Sequence, residues 1–128
     1  MKKALAAAAL LTIALAACGG GGGSGASSSG GSAANGKTVF TGTGGCIVCH
    51  TVQGVSTGTI GPELTKVATV AATRKPGMDA EAYIRESLTS PSAYVVSGFP
   101  DGQMPADLST RLSRAQLDDL VAYMLSLK

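Results

Sequence analysis

Hydrophobic and polar positions divide this chain into stretches of different rhythm. A positive start, Met1-Lys2-Lys3, leads into an apolar run from Ala4 to Ala14. That run is too short to span a bilayer with ease and has the make-up of an export signal. From Gly19 to Gly36 no pattern exists: the stretch is glycine, serine, alanine and one asparagine. Such a composition cannot bury a core and reads as a flexible tether. Helical rhythm begins at Lys37-Thr38-Val39-Phe40, and Gly42, Gly44 and Gly45 end that short element. Leu64, Val67 and Ala71 recur at helical spacing after Pro62. Asp79 is placed to cap a helix whose Ala80, Tyr83, Ile84 and Leu88 share one face, and Pro91 stops it. Ser92 to Leu108 is rich in glycine and proline and predicts no long regular element. Ser113-Arg114-Ala115-Gln116 fits a capping box, with Leu112 and Leu117 at the positions of a hydrophobic staple. Leu117, Leu120, Val121, Met124 and Leu125 then form an apolar stripe. Asp118 and Asp119 lie early in this last helix and Lys128 ends it, in accord with its dipole. The expected fold is all-α, with three to four short helices and no β-rich run.

These patterns set the domain plan: residues 1–17 as a signal, 18–35 as a tether, and 36–128 as one small domain. Leu15-Ala16-Ala17-Cys18 resembles a bacterial lipoprotein signal, with cleavage before Cys18 and lipid on its thiol. An ordinary secretory signal that happens to contain a cysteine is the alternative. The tether from Gly19 to Asn35 has an r.m.s. reach of about 20–25 Å. The chain carries 10 basic and 8 acidic residues, and removing Lys2 and Lys3 with the signal balances the two. No dense basic patch remains, which argues against nucleic acid as a partner.

Cys46-Ile47-Val48-Cys49-His50 carries the chemistry. C-x-x-C-H is the attachment signature of c-type haem. Two thiols at this spacing can each add to a vinyl group, and His50 then stands where its imidazole can ligate the iron. A zinc site would need a fourth ligand, and the chain has no other histidine. Dithiol exchange stays open, since a neighbouring imidazolium can stabilise a thiolate. The three cysteines are accounted for by one lipid and two thioethers, so no disulfide is expected. Candidates for the iron's second axial ligand are the methionines. Met124 falls on the apolar stripe and Met78 beside the Asp79 cap. Met104, in Gly102-Gln103-Met104-Pro105, lies in a loop far enough downstream for helices to pass before the chain returns. Pro105 holds Met104 in extended geometry. An open position or another ligand remains the alternative.

From Gly36 to the C-terminus the chain resembles the class I c-type cytochromes, small bacterial monohaem proteins with one covalently bound haem c. The resemblance rests on Gly36 to Phe40, Cys46 to His50, Gly61-Pro62-Glu63-Leu64, Gly102 to Pro105, and Leu120-Val121-Ala122-Tyr123. It implies thioethers at Cys46 and Cys49 and axial ligation by His50 and Met104. It also implies a hydrogen bond from the His50 ring to the carbonyl of Pro62. Gly36 and Phe40 would pack on Leu120 and Tyr123 where the first and last helices cross. The chain departs from the pattern in a longer spacing between Phe40 and Cys46, and in having no tryptophan to meet a haem propionate. Tyr83, Tyr94 and Phe99 are candidates for the haem wall or propionates, or for ordinary core.

The resemblance implies electron transfer rather than catalysis, because two protein ligands leave no iron position for a small-molecule substrate. The expected protein is a membrane-tethered carrier, exported and lipid-anchored at the outer face of the cytoplasmic membrane or in the periplasm. Its expected partners are redox proteins: an oxidase, a reductase or a dehydrogenase. Alternatives are a permanent cytochrome subunit of such a complex, or a haem sensor or peroxidase-like protein with labile Met104.

Overall fold

The computed structural model describes residues 30–128. The signal at 1–17, Cys18 and most of the expected tether therefore lie outside the described residues. Five α-helices and one short hairpin form in chain order. They are α1 (Ala33–Thr41), β1 (Thr51–Val52), β2 (Ser56–Thr57), α2 (Val67–Arg74), α3 (Ala80–Thr89), α4 (Leu108–Arg111) and α5 (Arg114–Ser126). Short 3-10 turns occupy Cys46–Val48 and Pro91–Ala93. The all-α expectation holds, with α4 as the addition. That helix has 4 residues and ends at Leu112, whose N–H bonds to the carbonyl of Leu108.

The first helix opens at Ala33, ahead of the expected start at Lys37. Ser32 caps it by accepting the N–H of Asn35, and the Ser32 N–H is itself held by Asp119 Oδ1 at 2.6 Å. Small residues read as tether can therefore be helical where α5 offers a docking edge. Gly36 is buried against that edge, and a Cβ there would strike the Asp119 carbonyl. One turn on, Phe40 meets Tyr123 with ring centroids 5.4 Å apart. Phe40, Leu120 and Tyr123 are all buried, as the resemblance implied for this crossing.

Helix α5 carries both halves of its capping box: Ser113 accepts the Gln116 N–H, and the Gln116 side chain accepts the Ser113 N–H. Leu120 to Met124 are all buried, so this helix is enclosed on more than one stripe. Asp118 and Asp119 sit beyond its first turn and act as contacts rather than as dipole partners. Asp118 pairs with Arg85 of α3 at 2.7 Å, and Asp119 holds Ser32.

Helix α2 begins at Val67, leaving Leu64 in the preceding turn, where its N–H bonds to the carbonyl of Thr51. Helix α3 is capped by the Asp79 side chain and buries Tyr83, Ile84 and Leu88. Lys75 and Glu86 tie α2 to α3 at 2.6 Å. The hairpin was not expected; β1 and β2 pair antiparallel, with Thr51 opposite Thr57. Among the described residues no helix is long and apolar enough to cross a membrane.

Candidate functional site

A deep cleft opens between the Cys46–His50 turn, the Gly61–Leu64 segment, α2, α3 and the Tyr94–Pro105 loop. It encloses about 1320 Å³ of space free of protein atoms, part of it open to solvent. Its walls are mostly hydrocarbon, including Leu64, Val67, Ala71, Ile84, Leu88 and Leu108. Glu63, Arg74 and Asp101 are the charged residues on the lining.

The chain reaches this cleft through its glycines. Gly45 adopts φ 66°, a left-handed conformation that turns the chain out of α1 and into the 3-10 turn holding Cys46. The longer spacing after Phe40 is taken up in this turn, with the Gly44 N–H bonded to the carbonyl of Val39. Cys46 and Cys49 are both free thiols, the first buried and the second half-buried. Burial pushes the Cys46 thiol up to about 11, reinforced by nearby Cys49 and opposed by a backbone hydrogen bond and Arg111. A thiol held so far from its thiolate is poorly suited to dithiol exchange. Among the described residues no group of three His, Cys, Asp or Glu side chains is placed to hold a metal ion.

His50 is half-buried beside the two cysteines. Its Nδ1 lies 2.8 Å from the carbonyl oxygen of Pro62. A carbonyl only accepts, so this bond assigns the proton to Nδ1 and leaves the lone pair on Nε2. Burial lowers the imidazole's proton affinity, partly offset by the Pro62 bond, and so favours the neutral ring. Gly61 lies flat against the ring: a Cβ there would come 2.5 Å from Cε1. The Gly61 N–H also bonds to the carbonyl of Cys49 at 2.7 Å, stitching this segment to the cysteine turn.

The methionines separate by position. Met104 is half-buried on the cleft lining, carried by the loop before α4. Met124 reaches the lining from α5 but is buried in the core. Met78 is half-buried against the core and does not border the cleft. Tyr83, Tyr94 and Phe99 all line the cleft, and Tyr83 meets Tyr94 edge-on at 5.7 Å. Two lining or bracing groups had no signal in the hydrophobic pattern: Arg74, at the end of α2, and Ser56, on the hairpin. A polar residue in a short turn looks the same in sequence whether it faces water or braces a neighbour.

The donor set fits a covalently held haem. Two free thiols, a neutral imidazole with an available nitrogen and a thioether all border one large hydrocarbon-walled cleft. Comparison with known families agrees: the family model for cytochrome c matches residues 33–128. A search of curated proteins gives no match.

Proposed function

This chain belongs to the cytochrome c family, whose members transfer electrons through covalently bound haem c, and from that membership we propose a membrane-tethered carrier of single electrons. Cys46 and Cys49 would hold the haem as thioethers, each S–H adding across one vinyl group. His50 through Nε2 and Met104 through Sδ would ligate its iron. The haem supplies a reversible one-electron iron couple, and a thioether ligand favours the ferrous state. The chain's own part is to aim the ligands, exclude water and keep the iron's surroundings nearly constant between oxidation states. Pro62 fixes the imidazole through Nδ1, which keeps Nε2 directed and basic.

The observation that carries this reading is the convergence of Cys46, Cys49, His50 and Met104 on one apolar cleft. Met104→Ala is expected to retain haem and lose the weak absorption band of iron–sulfur ligation. An unchanged band would remove Met104 from the ligand set.

Cytochrome c domains are typically exported, which agrees with the signal-like N-terminus. Lipid on Cys18 would place the head at the outer face of the cytoplasmic membrane or in the periplasm. The tether then raises its local concentration near membrane-bound donors and acceptors. Dehydrogenases or membrane complexes would feed it, and oxidases or reductases would accept from it. Cys18→Ser should move the haem protein from the membrane fraction to the soluble one.

One feature favours the alternative of a permanent subunit in a redox complex. Val48, between the two cysteines, is 66 % exposed, and Ile60, Val70 and Val95, also exposed, border the cleft. An exposed apolar patch there is suited to a lasting contact. Co-purification of a stoichiometric partner through detergent extraction would decide for that alternative.

A further inference from the structure

His50 is held by more than Pro62. Its backbone N–H bonds to the carbonyl of Cys46 at 2.9 Å. Its own carbonyl accepts the Ser56 hydroxyl at 2.7 Å. The same Ser56 oxygen accepts the N–H of Val52 at 3.0 Å. Ser56 is half-buried, and its hydroxyl is the side-chain group that reaches the backbone of residue 50. A serine at the end of a two-residue strand thus closes a small ring of bonds: carbonyl 50, hydroxyl 56, amide 52. The adjacent Thr51 makes a similar bond within the hairpin, from its hydroxyl to the carbonyl of Gly58 at 2.7 Å, and that hydroxyl does not bond to His50.

We propose that Ser56 is a positioning residue for the axial imidazole, locking the His50 backbone so that the ring keeps its bond to Pro62. The inference rests on the reading of His50 as an iron ligand and extends it to a residue outside the attachment motif. The physical argument concerns torsion. The ring hangs from Cα50 by two rotatable bonds, so its aim depends on the orientation of the peptide on each side. Cys46 fixes the N-terminal side, and Ser56 fixes the C-terminal side. Without the hydroxyl, the 50–51 peptide is free to tilt towards another donor, and the Nδ1–H bond to Pro62 lengthens. An imidazole with a weaker Nδ1–H bond is a poorer electron donor. A poorer donor stabilises ferric iron less, so the reduction potential rises.

Ser56→Thr and Ser56→Val form the test pair in the haem-loaded full chain. They share a shape suited to a strand, and only threonine keeps the hydroxyl. Ser56→Ala provides a second hydroxyl-free form. Thr51→Val is the control, since it removes a hairpin bond of the same kind whose hydroxyl is not bonded to the His50 carbonyl. The readout is the midpoint potential by spectroelectrochemical titration, with thermal stability measured alongside. The valine and alanine forms are expected at a higher potential than the natural protein, the threonine form close to it. The Thr51→Val form should lose stability without the shift. Equal potentials for the threonine and valine forms would overturn the proposal, as would an equal shift in Thr51→Val. Failure of the underlying reading looks different: a His50→Ala form that kept the natural low-spin spectrum would remove His50 as a ligand whatever Ser56 does.

Discussion

Tyr123 carries a hydroxyl into the contact between α1 and α5 and finds no hydrogen-bond partner for it among the described residues. The ring fills its place well, buried and packed against Phe40. The oxygen does not, because a buried donor that finds no acceptor retains its desolvation cost. Tyr123→Phe should therefore stabilise the protein by about 1 kcal/mol, the low end of that cost, measurable as a higher denaturant midpoint. Burial also raises the phenol's pKa above its usual value of 10.0. The sign follows from linkage: folding holds the proton more tightly, so this contribution is intact below about pH 10 and is lost as pH climbs through the raised folded value. The phenylalanine form should lose less stability on the alkaline side, and an identical alkaline limb in both proteins would contradict the assignment. At this scale the sequence reveals which residues are apolar and which motif holds the ligands. It could not reveal that Tyr123 lacks a partner or that Ser56 reaches His50, because both depend on where distant or turn-separated backbone comes to rest.

Helices in this protein differ in how much of their origin is local. Helix α5 is the local case: its capping box satisfies two end groups from within four consecutive residues, so its start is readable from Ser113 and Gln116 alone. Ser113→Ala should cost about 1 kcal/mol of stability, seen as a lower thermal midpoint, with the haem spectrum unchanged. The pair between Arg85 and Asp118, joining α3 to α5, is a weaker hold than its 2.7 Å suggests. Arg85 is 38 % exposed at its side chain, and water screens such a pair to well under about 1 kcal/mol. Helix α1 is the opposite case. Ala33, Ala34 and Asn35 carry no apolar rhythm, and their helix is set by Asp119 holding Ser32 and by the close approach of Gly36 to α5. A reading of composition assigns such residues to the tether, since the information lies in a partner far along the chain. The β1–β2 hairpin was illegible for a related reason. Two-residue strands have no alternation to detect, and this one is supported by the side-chain bonds of Thr51 and Ser56.

The molecule as a whole is built in two parts of unequal independence. The crossing of α1 on α5 is closed by side chains alone, with Gly36, Phe40, Leu120 and Tyr123 in direct apposition. Across the cleft, α2, α3 and the loop bearing Met104 face one another over an apolar space, partly open to solvent, that no side chain fills. Protein interiors are normally packed to the density of organic crystals, and apolar walls gain little from facing water. Haem c is therefore a structural element here as well as a redox one, and thioethers at Cys46 and Cys49, as proposed, would fasten it to the half that is already closed. A Cys46→Ala, Cys49→Ala form cannot make those bonds. Its α1 and α5, with 9 and 13 residues, are too short to persist as isolated helices in water. The variant should show reduced far-ultraviolet helicity, bind a hydrophobic dye and melt without a cooperative transition. Cooperative melting at the midpoint of the haem-bearing protein would mean that the helices close the cleft among themselves.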